Sequence, residues 1–337
     1  MTASTSWSAL DTLLILNFAT RLLSLDLGLE IVFERALEAF SDFSANGEAA
    51  LFLLDSDRKA VRLEGTFVGL KYRSWKRSFP LEGTPMQDVM RNRRYGRYPV
   101  ATDGDFPLPT FAPHPEGREC LCLPLFRADA DVIGMVAIEQ RSGQIRRTED
   151  IQILIILATV TAISIENARL FRQATHDGLT GLYVRHFFDL RLKEELSRLK
   201  RYGGGLALML SDVDDFKAVN DRFGHRRGDA VLRELAAIFK SHVRNDVDII
   251  CRYGGDEFLT LMTAADLEEA LKVAERIHQA CLSHGFRYRG TDARVTISSG
   301  IAVAASPSLP AAEALLERAD AALYEAKRRG KNQIVTG

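Results

Sequence analysis

Residues 252–259, RYGGDEFL, place two glycines and two adjacent acids between apolar runs. Ile249, Ile250 and Cys251 come before them, and Phe258, Leu259 and Leu261 follow. An apolar–turn–apolar pattern this short predicts a β-hairpin with a buried face. Gly254 and Gly255 are expected to supply the positive φ of a tight turn, and to let a planar ligand approach the backbone. Asp256 is expected to open the second strand, with Glu257 beside it. On their own, these residues would equally describe an ordinary turn.

Their company changes the reading. Upstream, LALMLSDVDDF (206–216) is an apolar run that stops abruptly in acids. Such a run predicts a buried strand whose end emerges at a site. If this strand and the hairpin are sheet neighbours, Asp212 and Asp256 converge. Two convergent carboxylates are hard oxygen ligands, suited to Mg²⁺ or Mn²⁺. The loop that follows adds Lys217, Asn220, His225 and Asp229, and AKRRGKN (326–332) adds Lys327 and Lys331. Acids for a metal, lysines for phosphate and an Asn/Asp pair for a base edge together predict a nucleoside-triphosphate site. Each residue also has a plainer role. Asp214 and Asp215 can cap a helix, Asn220 can cap, His225 can sit in a turn, and the lysines suit a helix C-terminus.

Working outward, the second half alternates as βααββα(β)βαβ, which predicts a mostly antiparallel sheet with helices on its faces. Asp177-Gly178 and Thr180-Gly181 punctuate its start. The first half reads differently. Leu10, Leu13, Leu14 and Phe18, then Val32, Leu37 and Phe40, recur at helical spacing. EAALFLLDSD and KAVRLEGTFV read as a strand pair. TPMQDVMRNRRYGRYPV reads as a short helix and loop, and ECLCLPLFRADADVIGMVAIEQ as two strands. A long helix follows from Thr148 to about Thr175. The chain has 337 residues, so two domains are expected. The predicted organisation is an N-terminal helix over 1–27, a sensor-like α+β domain over 28–170, a connecting helix over 148–176 and a second α+β domain over 177–337.

Composition excludes some partners. The formal net charge is −1 with 26% charged residues, so bulk electrostatic binding to nucleic acid or an anionic membrane is not expected. The apolar stretch Leu13–Ala19 falls far short of the about 20 residues a membrane span needs. Cys120, Cys122, Cys251 and Cys281 show no metal-binding or disulfide spacing and read as reduced thiols, implying a cytoplasmic protein. Cys120 and Cys122 alternate along a strand and are expected to fill one face.

RYGGDEF, SDVDDFKAVNDRFGHRRGD, DGLTGL and ALYEAKRRGKNQ, in that order, resemble the GGDEF family of diguanylate cyclases. The pattern of residues 28–170 resembles a GAF domain. In place of the cyclic-nucleotide signature of some GAF domains stands RSGQIRRTEDIQ, where only Glu149 and Asp150 match, so cyclic-nucleotide binding is not expected.

The GGDEF resemblance implies a palm-like fold that condenses two GTP molecules into cyclic di-GMP. It assigns Asp212, the carbonyl of Val213, Asp256 and Glu257 to divalent metal. Asp256, Glu257 and Lys217 would serve catalysis. The N–H groups of Phe216 and Lys217 would hold phosphates, Lys327 and Lys331 would clamp the triphosphate, and Asn220 and Asp229 would read guanine beside His225. Gly254 and Gly255 would leave room for the nucleotide. Relatives carry Asn where Val184 stands. They carry arginine where Asn245 stands in a product-binding Arg-x-x-Asp. Here only Asp248 matches and Arg244 is displaced by one residue, so product inhibition is expected to be weak. One site holds one GTP, so a homodimer is implied. The expected seam is Ile151, Leu154, Ala158, Ala162, Ile165 and Leu170, with Asp177-Gly178 as the hinge. The signal received by the GAF-like domain, small molecule or protein, is not legible.

Overall fold

A run such as Ala49–Leu54, apolar at every position, makes a stable strand only where both faces of its sheet are covered. That condition organises the whole first half. In the computed structural model, residues 9–23, 28–43, 48–69, 71–99, 118–141, 147–244, 247–288, 291–293, 295–306 and 309–337 are described. The chain divides into two units, Met1–Phe171 and Arg172–Gly337.

The first unit runs α1 (Ala9–Leu22), α2 (Leu29–Ser41), β1 (Ala49–Leu54), β2 (Ala60–Val68), β3 (Lys71–Pro80), α3 (Pro85–Asn92), β4 (Gly96–Pro99), β5 (Arg118–Phe126), β6 (Val132–Arg141) and α4 (Thr148–Thr175), whose last turn passes into the second unit. Its antiparallel sheet has the order β3-β2-β1-β6-β5-β4. Alternation along each strand feeds two cores. Leu51, Leu53, Leu121 and Leu123 face α2 and α4. Phe52, Cys120, Cys122 and Met135 face α3 residues Met86 and Val89. Cys120 and Cys122 are both buried, with their sulfurs 3.9 Å apart. This contact, and then burial, push the Cys120 thiol well above its usual pKa, which keeps it inert.

Two strands of this unit are not legible in the sequence. β3 is a charged edge strand, KYRSWKRSFP, with no apolar alternation to betray it. β4 falls in what reads as a loop. It pairs with β5 through Arg97↔Leu121 and Tyr98↔Cys120.

The stripe assigned to a dimer seam is instead core. Ile151, Leu154, Ala158, Ala162 and Ile165 are all buried against α2 and the sheet. The apolar residues that α4 leaves outside are Ile155, Ile163 and Leu170, at 42%, 43% and 55% exposure. Only α4 among the described residues is long and apolar enough to cross a membrane by length and composition. A core helix meets the same criterion, and 56% of the apolar 18-residue window within α4 is buried inside the protein. In α1, Phe18 is buried and Leu13 exposed, whereas the side chains of Leu10 and Leu14 lie outside the described residues.

The second unit runs β7 (Tyr183–Val184), α5 (Arg185–Tyr202), β8 (Gly205–Val213), α6 (Phe216–Phe223), α7 (His225–His242), β9 (Ile249–Arg252), β10 (Glu257–Thr263), α8 (Leu267–Ser283), β11 (Phe286–Tyr288), β12 (Thr291–Ala293), β13 (Ile297–Ala305), α9 (Ala312–Arg328) and β14 (Ile334–Thr336). The sheet order is β14-β13-β8-β10-β9-β7, antiparallel at its centre and parallel at both edges. Ala207 and Met209 join the core of α7 and α8, while Leu206, Leu208 and Leu210 join that of α5 and α9. Val184 is the N-cap of α5 and gives it no side-chain cap.

Candidate functional site

The period-2 alternation of β8 determines which face its acid takes. Leu206, Leu208 and Leu210 face α9, so Asp212 does too. β8 and β10 are neighbours, as the convergence of acids requires. The residue directly opposite Asp212 is Glu257, however, and Asp256 lies just before β10. The Val213 N–H donates to the Asp256 carbonyl at 3.2 Å, which holds the two strand ends together.

Half-buried acids brought this close resist ionisation. Burial pushes Asp212 above the usual carboxylate range, Lys327 pulls it back, and Asp256 and Asp214 push it up again. Burial and then Asp212 push Glu257 up. Lys327 Nζ stands 2.8 Å from Asp212 Oδ2. Its helix is seated by Gly300 of β13. A Cβ on Gly300 would stand 2.2 Å from both the Ala319 carbonyl and the Leu323 nitrogen, so only glycine admits α9 this close. Lys327 lies one turn beyond Leu323. The acids form an oxygen-only donor set with an excess of negative charge, which fits a hard divalent cation. Among the described residues, no three acid, histidine or cysteine side chains already stand as a finished cluster.

Beyond β8 the chain turns sharply. Asp215, at φ 53°, is the left-handed N-cap of α6. The helix's own hydrogen bonds begin with Ala218 donating to the Asp215 carbonyl at 2.8 Å, so the N–H groups of Phe216 and Lys217 precede them. Lys331 Nζ lies 2.6 Å from Asp215 Oδ1. The Lys217 side chain is exposed.

Asn220 is held against α7 by a second glycine that the sequence reading passed over. A Cβ on Gly228 would stand 2.0 Å from Asn220 Oδ1, so Gly228 lets α6 reach the residue before Asp229. Asp229 is part-buried, whereas His225 is exposed at the start of α7.

The turn is built differently from expectation. Neither Gly254 nor Gly255 takes a left-handed φ. A Cβ on Gly254 would meet Glu257 Oε2 at 2.8 Å, so this glycine clears space for an acid, and Gly255 has open space around it. The turn is closed by the Tyr253 N–H donating to the Glu257 carbonyl at 2.8 Å. Arg252 braces it. Its guanidinium donates to the Gly255 carbonyl at 2.8 Å and to Asp177 at 3.2 Å. Asp177 also accepts from the Thr180 N–H at 2.8 Å and the Thr180 hydroxyl at 2.6 Å. Burial raises the pKa of Asp177, but Thr180 and Arg252 together hold it below the usual range. Asp177, the first residue of the expected hinge, is thus clasped by Thr180 and Arg252. Arg252→Ala is expected to destabilise the second unit by about 1–3 kcal/mol, because Asp177 loses a charged partner. Urea unfolding of the full chain measures this.

Arg244 and Asp248 form an ion pair away from these acids. Asp248, with a side chain 1% exposed, accepts from Arg244 at 2.6 Å, and Arg244 also donates to the Thr263 carbonyl. Thr263 ends β10, about 20 Å along the strand from Glu257. Asn245 lies outside the described residues.

This geometry meets independent comparisons. Residues 174–333 match the family model described as "Diguanylate cyclase, GGDEF domain", and residues 26–166 match the GAF domain. Residues 174–333 therefore form a GGDEF domain. The chain is 35% identical over 213 residues to diguanylate cyclase A of Treponema denticola, covering 62% of this chain and 57% of that one. It is 40% identical over 163 residues to the diguanylate cyclase DgcP of Pseudomonas aeruginosa, covering 48% and 24%. The chain thus spans less than two thirds of these relatives. A solved structure of the coiled coil and GGDEF domain of DgcB from Caulobacter crescentus, in complex with c-di-GMP, aligns with a TM-score of 0.51 at 29% identity, covering 57% of this chain and all of that one. The GGDEF domain here therefore follows a GAF domain, and α4 runs from one into the other.

Proposed function

We propose that the chain is a diguanylate cyclase. It condenses two GTP into cyclic di-GMP and two pyrophosphates, under control of its GAF domain. The observation that carries this reading is the facing pair Asp212 and Glu257 at one sheet end, with Asp256 beside them and Lys327 already within ion-pair distance. Asp212, the Val213 carbonyl, Asp256 and Glu257 would hold a divalent ion, Mg²⁺ or Mn²⁺. When bound, that ion neutralises charge at the α-phosphate and the leaving pyrophosphate. The chain's own groups do the rest. Asp256 takes the proton of the attacking 3′-hydroxyl. The Phe216 and Lys217 N–H groups and Lys331 grip the β- and γ-phosphates. Lys327 moves from Asp212 to phosphate, and Lys217 stabilises developing charge. Asn220 and Asp229 read the guanine edge, because Asp229 accepts from the N1–H and the 2-amino group, neither of which adenine has.

One domain holds one GTP, so two subunits must meet antiparallel, which makes the bond-forming step effectively unimolecular. The exposed face of α4, Ile155, Ile163 and Leu170, is the surface proposed for that pairing. A cleft of about 310 Å³ in the GAF domain, lined by Asp88, Arg94, Arg97 and Tyr98 among others, is proposed to take the signal. The protein is proposed to act in the cytoplasm. Incubation with GTP and Mg²⁺, with nucleotides resolved by chromatography, tests the activity. Absence of cyclic di-GMP from a dimeric, folded sample overturns it.

The metal has its own readout. An ion that binds only the folded state at a hundredfold excess over its Kd adds about 2.7 kcal/mol, or a rise of about 5–10 °C in melting temperature. Both Asp212 and Glu257 have raised pKa values, so without a cation the fold weakens as pH rises through them. Protons compete with the ion as pH falls. The Mg²⁺-induced rise is therefore expected to be largest near pH 7.5, smaller at pH 5 and absent in Asp212→Asn, as scanning calorimetry would show.

A further inference from the structure

Asp214 lies between the metal-facing Asp212 and the N-cap Asp215, yet the proposed chemistry gives it no task. It is 8% exposed. Three neutral donors converge on its carboxylate. Thr296 Oγ1 donates to Oδ2 at 2.7 Å, Ser298 Oγ to Oδ1 at 2.7 Å, and the Asn332 N–H to Oδ2 at 3.0 Å. Its own N–H donates to the Thr296 carbonyl at 2.9 Å. One side chain thus ties the end of β8 to β13 and to the turn after α9.

That turn needs tying. Gly330, Lys331 and Asn332 follow one another at φ 112°, 63° and 50°. Lys331 carries a side chain that disfavours this region, and three such residues in succession are rare, so outside contacts must hold the conformation. The Asn332 N–H is the group so held, shared between Asp214 and Ser298 Oγ at 3.1 Å. The residue just before it, Lys331, reaches Asp215 Oδ1 at 2.6 Å. Asp215 in turn precedes the free N–H groups of α6. The two ends of the proposed triphosphate grip, Lys331 and the α6 N-terminus, are therefore joined through one buried anion.

We propose that Asp214 is a positioning residue for the triphosphate, acting through Lys331. This rests on the nucleotide-binding reading above. Its charge is what fits. An amide in its place would turn an N–H₂ toward donors that need acceptors, and the Asn332 N–H would lose its partner. Asp214 touches no phosphate itself.

The test measures affinity of the full chain for inorganic tripolyphosphate and for GTP by titration calorimetry. The proteins are wild type, Asp214→Asn, Lys331→Ala and the double variant. Asp214→Asn is expected to weaken tripolyphosphate binding at least about tenfold, the scale of a lost hydrogen bond to a charged group. The double variant is expected to bind within about twofold of Lys331→Ala, since both changes remove one grip. In turnover, the KM for GTP rises while kcat stays within about threefold, the pattern of lost binding rather than lost chemistry. Ser298→Ala removes one donor and one acceptor from the same network without unpairing a charge. It serves where Asp214→Asn does not fold, with an expected loss of about threefold in affinity. If the folded variant binds tripolyphosphate as wild type does, or the two losses add fully, the inference is overturned and the proposed function stands. If wild type binds neither GTP nor tripolyphosphate, the proposed function falls first.

Discussion

Asp256→Asn is expected to lower cyclic di-GMP formation by at least about 10³-fold, the scale seen when a group that stabilises transition-state charge is removed. Melting temperature should hold or rise. The structural role of residue 256 is carried by its backbone, whose carbonyl accepts from the Val213 N–H, and asparagine keeps that bond. Its side-chain charge works against the fold, because it adds to the burial that already raises the pKa of both Asp212 and Glu257. Removing that charge relieves two half-buried acids while taking away the proposed metal ligand and the proposed base for the 3′-hydroxyl. Loss of activity with unchanged or raised stability therefore separates a functional acid from a structural one. Chromatography of product and calorimetry on the same preparation give both quantities. A variant that keeps turnover within tenfold of wild type would remove Asp256 from the chemistry.

Register explains why the sequence pointed to both acids of the hairpin but not to which of them stands opposite Asp212. The apolar runs of β8 and β10 are visible as strings, and so is their shared end in acids. Which residue faces which depends on where the turn closes, and a one-residue difference exchanges the two faces. The Tyr253 to Glu257 hydrogen bond makes that choice, and no local signal announces it. Gly228 and Gly300 were passed over for a related reason. Both are defined by what would collide with a Cβ, so each becomes legible only once a second element is in place. Asp214 looked like a helix cap because its partners, Thr296, Ser298 and Asn332, come from residues far along the chain. The long-range role of Arg252 is hidden in the same way, since Asp177 is 75 residues away. β3 was invisible because an edge strand rich in Lys and Arg has little apolar face to show, which is also how edge strands avoid pairing with other chains.

The helix α4 shows the opposite failure, a signal read correctly as apolar and assigned to the wrong partner. Apolar spacing says that a face is covered but not by what. Ile165 is fully buried in the GAF core, so Ile165→Glu places an unpaired charge there. It is expected to cost about 4 kcal/mol or more and to unfold much of the GAF domain, whatever the oligomeric state. Ile163, two residues earlier, is 43% exposed. Ile163→Glu is expected to change the stability of the subunit by no more than about 0.5 kcal/mol, the range of an ordinary surface change. Its effect should appear in association instead. A like charge placed on both copies of a shared apolar face opposes their pairing, and turnover per subunit should fall at least about tenfold as the facing geometry is lost. Sedimentation, initial rates and urea unfolding on the two variants separate these effects. Ile165→Glu should fail first in unfolding, and Ile163→Glu in sedimentation and rate alone. If Ile163→Glu stays dimeric and fully active, the exposed face of α4 is not where two copies meet, and the two GTP sites must be brought together through the GGDEF domains.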